Sequence, residues 1–216
     1  MNHFEHLTDY ELIDRILAGD KPLYELIVRR YNPYLYKIGR SYNYNHEDTQ
    51  DLMQDTYVDA YKNLSHFEKR SGFKTWIVRI MLNNCYHKNK KSGYKNEFLR
   101  DTIHENSKPM FNNSTNDAGK QANNRELGRI IEQSLANIPE DYRMVFSLRE
   151  MNGFNVSETA ELLRISESNV KIRLSRAKAM LRNEIAKSYS PEDIYEFNLI
   201  YCDDMVNRVM KQIENL

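Results

Sequence analysis

The chain has 216 residues, 40% of them hydrophobic, and its 31 basic side chains balance 31 acidic ones to a formal net charge of zero. That length holds one large domain or two small ones, with enough apolar content for compact cores. No apolar run approaches the roughly 20 residues needed to span a bilayer, and MNHFEHLTDY lacks the basic-then-apolar order of a secretory signal, which predicts a soluble, cytoplasmic protein without membrane insertion.

Helical signals run along the chain and no alternating strand pattern stands out, so the predicted fold class is all-α. Thr8 to Glu11 has the form of a capping box opening a first helix, with Leu12, Ile13, Ile16 and Leu17 on one face and Gly19 closing it. Pro22 begins a second helix that runs through Leu26 and Tyr31 toward Ile38, with Pro33 as a bend. Asn45 caps a third, whose buried stripe is Leu52, Met53, Tyr57, Ala60, Tyr61 and Leu64. A fourth follows the Ser71-Gly72 break and packs Phe73, Trp76, Ile77, Ile80 and Met81 before the basic run HKNKK. Residues 1–100 are thus expected to form one helical domain.

Residues 101–124 read as a flexible linker, because HENSKPMFNNSTNDAGKQANN holds six asparagines with Ser, Pro and Gly and almost no apolar periodicity. Helix starts near Arg125 and at Pro139 open a second domain, 125–188, with Gly153 punctuating the passage from a Tyr142–Met151 helix into FNVSETAELLRISESNVKIRLSRAKAMLR. That stretch reads as a helix-turn-helix. Ala160 stands where two helices nearly touch, and Leu163, Ile165, Val170 and Leu174 supply the packing positions. Arg164 occupies the turn position that commonly wants glycine, and must accept an unusual backbone angle. The second helix then shows Ser168, Asn169, Lys171, Arg173, Arg176 and Lys178 to solvent, a set suited to phosphates and base edges, or to a merely solvated bundle face. Residues 189–216 form a separate helical tail.

Charge is segregated along the chain. Tyr42 to Tyr61 carries five acids and no Lys or Arg; His66 to Arg100 carries nine bases against two acids, a net of +7; Arg164 to Lys187 carries seven bases against two acids, a net of +5. Surfaces of opposite sign imply two different partners, and the basic ones favour DNA over the solvated-face alternative. Catalytic and metal chemistry find no support. Cys85 and Cys202 are far apart, His3 and His6 lack acidic or thiol partners at ligand spacing, and neither a Gly-rich phosphate loop nor a Ser/His/Asp or paired-carboxylate arrangement occurs. The expectation is a protein that is not an enzyme and needs no metal and no cofactor.

In order and spacing these motifs resemble a bacterial RNA polymerase sigma factor of the extracytoplasmic-function (ECF, group IV) type. HEDTQDLMQDTYVDAY resembles the helix with which such factors grip the polymerase clamp, GFKTWIVRIMLNNCYHKNKK the helix facing the minus-ten element, and NIPEDYRMVFSLREMNGFNVSETAELLRISESNVKIRLSRAKAMLR the module reading the minus-thirty-five element. The tail resembles an extension of members from the Bacteroidetes. The resemblance implies core RNA polymerase and promoter DNA as partners, and an anti-sigma factor as a further one. It assigns polymerase contact to Asp51, Gln54 and Asp55. Asp51 and Gln54 lie one turn apart, beside the apolar stripe. It assigns capture of a flipped base to Lys69, Arg70 and Ser71 in the His66–Gly72 loop, where holding an unpaired strand calls for aromatic and polar groups beside cations. Trp76, at helical spacing with Phe73, Ile77 and Ile80, belongs to the core. Lys74, Arg79, Asn83, Asn84, His87 and Lys88 are the solvent-facing DNA candidates of the fourth helix, and Ser168, Asn169, Lys171, Arg173 and Arg176 those of the recognition helix. The rival reading is a helix-turn-helix operator-binding regulator, which leaves the acidic helix unexplained. In the tail, Ser190 and Pro191 open a helix with Cys202, Met205, Val206, Val209, Met210 and Ile213 at a spacing that predicts burial, and its six acids against two bases give a net of −4.

Overall fold

A computed structural model describes residues 6–91 and 128–188, together with Met210, Lys211 and Ile213. Among them every regular element is helical. Helix α1 (Asp9–Leu17) is opened by the expected capping box, in which Glu11 Oε2 accepts from the Thr8 amide at 2.7 Å and Thr8 Oγ1 accepts from the Glu11 amide at 3.3 Å. The hydrogen bonds from Thr8 hold the Glu11 carboxyl below its ordinary range. A single 3-10 turn, Lys21–Leu23, leads into α2 (Tyr24–Ser41), which carries Pro33 within it. Asn45 caps α3 (His46–Lys62), its Oδ1 accepting from the Asp48 amide at 2.7 Å. After a second 3-10 turn, Leu64–His66, comes α4 (Phe73–Lys91).

These four helices enclose Leu12, Ile13, Ile27, Leu35, Ile38, Phe73, Ile77 and Met81, each at most 1% exposed. α2 and α3 touch closely at Gly39, where a Cβ would meet Thr49 Cγ2 at 2.6 Å. Trp76 is half-buried against Phe67 and Phe73, with ring centroids 5.3 and 5.4 Å away, as a core residue should be. The predicted stripes are corrected at their ends. Tyr61 is exposed and meets Tyr24 edge-on, and Leu17 is also exposed; both sit in the last turns of their helices. Val78, Leu82 and Cys85 are buried in addition, since α4 packs against α2, α3 and the second group of helices at once. Burial pushes the Cys85 thiol up to about 12, far from a reactive thiolate.

The second group comprises α5 (128–136), α6 (Glu140–Phe146) continued by a π-helical turn at Ser147–Met151, α7 (Val156–Leu163) and α8 (Glu167–Ser188). The expected Tyr142–Met151 helix therefore changes its winding at Ser147. Met144, Leu148, Phe154 and Leu162 join the apolar interior of the first group, so the two sets of helices pack as one body. Polar ties reinforce this. The Arg40 guanidinium meets Glu132 at 2.5 Å with both side chains largely buried, Ser41 Oγ donates to Ser147 Oγ at 2.7 Å, and Lys37 Nζ donates to the Met151 carbonyl at 3.0 Å. Arg143, 6% exposed, is the hub: it donates to the carbonyls of Ser41 at 2.5 Å, Ile138 at 2.6 Å and Ala136 at 3.1 Å, groups left over at helix ends.

The linker at 101–124, the start at Arg125 and most of the tail lie outside the described residues. Where the tail is described, Met210 and Ile213 are 50% and 55% exposed, against the burial their spacing predicts. A helical repeat of apolar residues needs a covering surface, and spacing alone does not supply one.

Candidate polymerase and nucleic-acid interfaces

The helix-turn-helix is built from local rules. Asn155 opens α7 with a reciprocal capping box to Glu158, both bonds at 2.8 Å. Arg164 closes it in the left-handed region, φ 54° and ψ 46°, as the missing glycine required. Ser166 Oγ then accepts from the Asn169 amide at 3.2 Å as α8 begins. Val145, Ala160 and Val170 form the small core between these helices, with Leu163, Ile165 and Leu174 packed on it.

That packing turns Ser168, Asn169, Lys171, Arg176 and Lys178 outward, all exposed. Arg173 differs, since it lies on the flank, 27% exposed, with its guanidinium 3.1 Å from Asp141 of α6. Arg176 reaches the Tyr142 hydroxyl at 3.5 Å and Lys178 pairs with Glu150 at 2.9 Å. Three cations thus border α8 with acceptors of α6 and the turn after it behind them.

On α3, Asp51, Gln54 and Asp55 are all exposed beside the buried Leu52, Thr56 and Tyr57, an outward acceptor face as expected. Val58 lies on the same face, 45% exposed. In the loop before α4, Lys69 adopts a left-handed φ of 57°, holds Asp14 at 2.7 and 2.9 Å and stands 5.5 Å from the Tyr10 ring centroid. Arg70 is largely exposed beside Glu68 at 2.6 Å, and Ser71 is half-buried.

The α4 candidates separate into two sets. Asn83 and His87 face solvent. Lys74, Arg79, Asn84 and Lys88 do not stand free, and the solvent-facing expectation is corrected for them. Lys74 donates to the Asn152 carbonyl and lies 4.3 and 4.6 Å from the Tyr34 and Phe154 ring centroids, and burial pushes its ammonium pKa down. Arg79 pairs with Glu161 of α7 at 2.5 Å, Asn84 donates to Asp59 at 3.2 Å, and Lys88 pairs with Asp48 at 2.5 Å. The spacing on α4 could not reveal the second helical group that engages Lys74 and Arg79, nor the acids of α3 that engage Asn84 and Lys88.

Two exposed residues escaped the sequence reading. Tyr86 is 51% exposed on α4 beside Asn83 and His87, with Lys90 Nζ 4.7 Å from its ring centroid; an aromatic one turn from Asn83 inside a basic stretch is the signal for it. Ile172 is 49% exposed on α8, and its apolar character hid it among polar candidates.

Two family models match this chain, Sigma-70 region 2 over residues 27–93 and Sigma-70 region 4 over residues 128–181, together more than half of its length. The chain is similar to the ECF RNA polymerase sigma-E factor of Haemophilus influenzae, 27% identical over 84% of this chain and 97% of that protein. It is likewise similar to that of Escherichia coli K12, 28% identical over 84% of this chain and 96% of that protein. Solved structures share its fold: CnrH in complex with the cytosolic domain of CnrY, TM-score 0.60 at 24% identity over 82% of this chain and 97% of that one, and the sigma factor RpoE with the anti-sigma factor NepR from Bartonella quintana, TM-score 0.58 at 22% identity over 75% and 96%. With an acidic α3 inside the region 2 match and the turn and most of both helices of the helix-turn-helix inside the region 4 match, the chain belongs to the sigma-70 family as an ECF-type sigma factor.

Proposed function

We propose that this sigma factor binds core RNA polymerase through Asp51, Gln54 and Asp55 on α3, takes the minus-ten element with the Lys69–Ser71 loop and α4, and takes the minus-thirty-five element with α8. The observation that carries the reading is the opposite sign of two exposed helical faces, acidic on α3 and basic on α8, in a chain of zero net charge. An acidic acceptor face suits a basic protein partner, whereas cations bordering an exposed helix suit phosphates and guanine edges. Opening the duplex then needs no covalent step, only capture of unpaired bases by Lys69, Arg70, Ser71 and the exposed polar side chains of α4.

An anti-sigma factor is proposed as a further partner, in line with the NepR complex of the similar RpoE. Placement in the cytoplasm follows from the proposed work on polymerase and DNA, and no helix among the described residues is long and apolar enough to cross a membrane. The tail, 189–216, is proposed as a Bacteroidetes-type extension whose acids lie near a basic surface and restrain DNA binding in the free protein. Reconstitution with purified core polymerase tests the central reading. A sigma factor yields promoter-dependent transcripts on its own, whereas an operator-binding regulator yields none without a separate sigma factor.

A further inference from the structure

α8 turns about 100° per residue, so Ile172 lies about 200° around the helix from Val170. Val170 and Ala177 are fully buried and mark the packed side. The centre of the opposite side is Ser168, Ile172, Ser175 and Ala179, all exposed. Asn169 and Arg176 border that strip on one edge and Lys171 on the other, while Arg173 sits back toward Asp141.

Three of the four central side chains are small, which lets the helix backbone approach base edges closely. Ile172 is the single large one, 49% exposed at the middle of the strip. A strip bordered by Lys171, Asn169 and Arg176 matches a polyanion. The one apolar group that a major groove offers an aliphatic side chain is the C5 methyl of thymine. We propose that Ile172 is a specificity-determining residue that reads a thymine in the upstream element through that methyl group, favouring thymine over cytosine at one position. This rests on α8 lying in the major groove.

The test uses holoenzyme assembled from the full chain and core polymerase, and an upstream element selected from random duplexes. Each thymine is replaced in turn by deoxyuridine, which keeps every hydrogen-bonding atom and lacks only the methyl. One position should lose about fourfold in binding, the effect of one methyl-sized contact. In Ile172→Ala, whose new residue favours helix, that same replacement should have no effect. A scan silent at every position, or an equal loss in Ile172→Ala, overturns the proposal. Arg176→Ala separates this from the groove reading. If it weakens upstream binding while the scan is silent, the groove placement stands and the role of Ile172 falls; if it too changes nothing, the groove placement itself fails, and the proposal with it.

Discussion

Arg143→Met should unfold this protein more readily than any surface substitution. Its guanidinium serves carbonyls at the end of α2, in the last turn of α5 and just beyond it, with three contacts between 2.5 and 3.1 Å and a fourth, to Leu135, long at 3.5 Å. Methionine fills much of the same space and offers no donor. Each buried carbonyl left without a partner costs about 1–3 kcal/mol, and the three short contacts decide the sum. Burial of the guanidinium works against its charge, which is why its pKa lies below the usual arginine value, and removing that charge returns part of the loss. The net destabilisation is about 3–5 kcal/mol, a fall of roughly 10 °C in Tm for a chain of this size. Arg143→Lys, with one ammonium for three carbonyls, should fall between. Urea unfolding followed by helical circular dichroism measures both. A loss below about 1 kcal/mol for the methionine variant would refute the assignment of Arg143 as the tie between the two helical groups.

Asp51→Ala with Gln54→Ala should abolish co-purification with core polymerase while leaving helical content intact, since both side chains are exposed and alanine favours helix; full association by the folded variant would remove α3 from the clamp. Arg173→Ala and Arg176→Ala should each weaken upstream-element binding, by about 1–3 kcal/mol where a base contact is lost. Electrophoretic shifts should find the smaller effect at Arg173, whose charge is already engaged by Asp141. Arg164→Gly should leave stability unchanged or raise it by up to about 1 kcal/mol, because relief of the left-handed backbone outweighs or matches the greater freedom glycine has when unfolded; a lower melting temperature would contradict this. Deleting residues 190–216 should raise the DNA affinity of the free protein while preserving the fold of the rest of the chain, and fluorescence anisotropy showing unchanged affinity would reject restraint by the tail.

Local features of the fold were legible in the sequence because local rules produce them. The Thr8 capping box, the Asn45 cap and the left-handed Arg164 follow from side chains within a few residues of one another. The acidic face of α3 and the basic border of α8 likewise survive folding as exposed residues, although several bases of α4 do not. What sequence order could not reveal is contact between helices distant along the chain. Lys74 and Arg79 read as free cations on α4 until Asn152 and Glu161 are brought against them. Leu82 and Cys85 stood outside the predicted stripe of α4, yet both are buried, because α4 is packed on more than one side. Tyr86 and Ile172 were missed for a different reason: an apolar side chain carries no sign of exposure in its type, and only for Tyr86 did the surrounding basic stretch offer one.

The ties from Arg40 to Glu132, Lys74 to Asn152 and Arg79 to Glu161 hold the two helical groups together, and promoter geometry sets a limit on what such a body can do. Elements centred at minus ten and minus thirty-five lie roughly 25 base pairs apart, or about 85 Å along B-form DNA. A folded chain of 216 residues is only about 45 Å across. The 36 residues between Lys91 and residue 128 could, fully extended, reach about 120 Å. The joined form can therefore sit on one element at a time, and occupying both requires these ties to part. Any partner that engages only the parted form pays a population tax, its apparent affinity reduced to its intrinsic affinity multiplied by the fraction of molecules already parted.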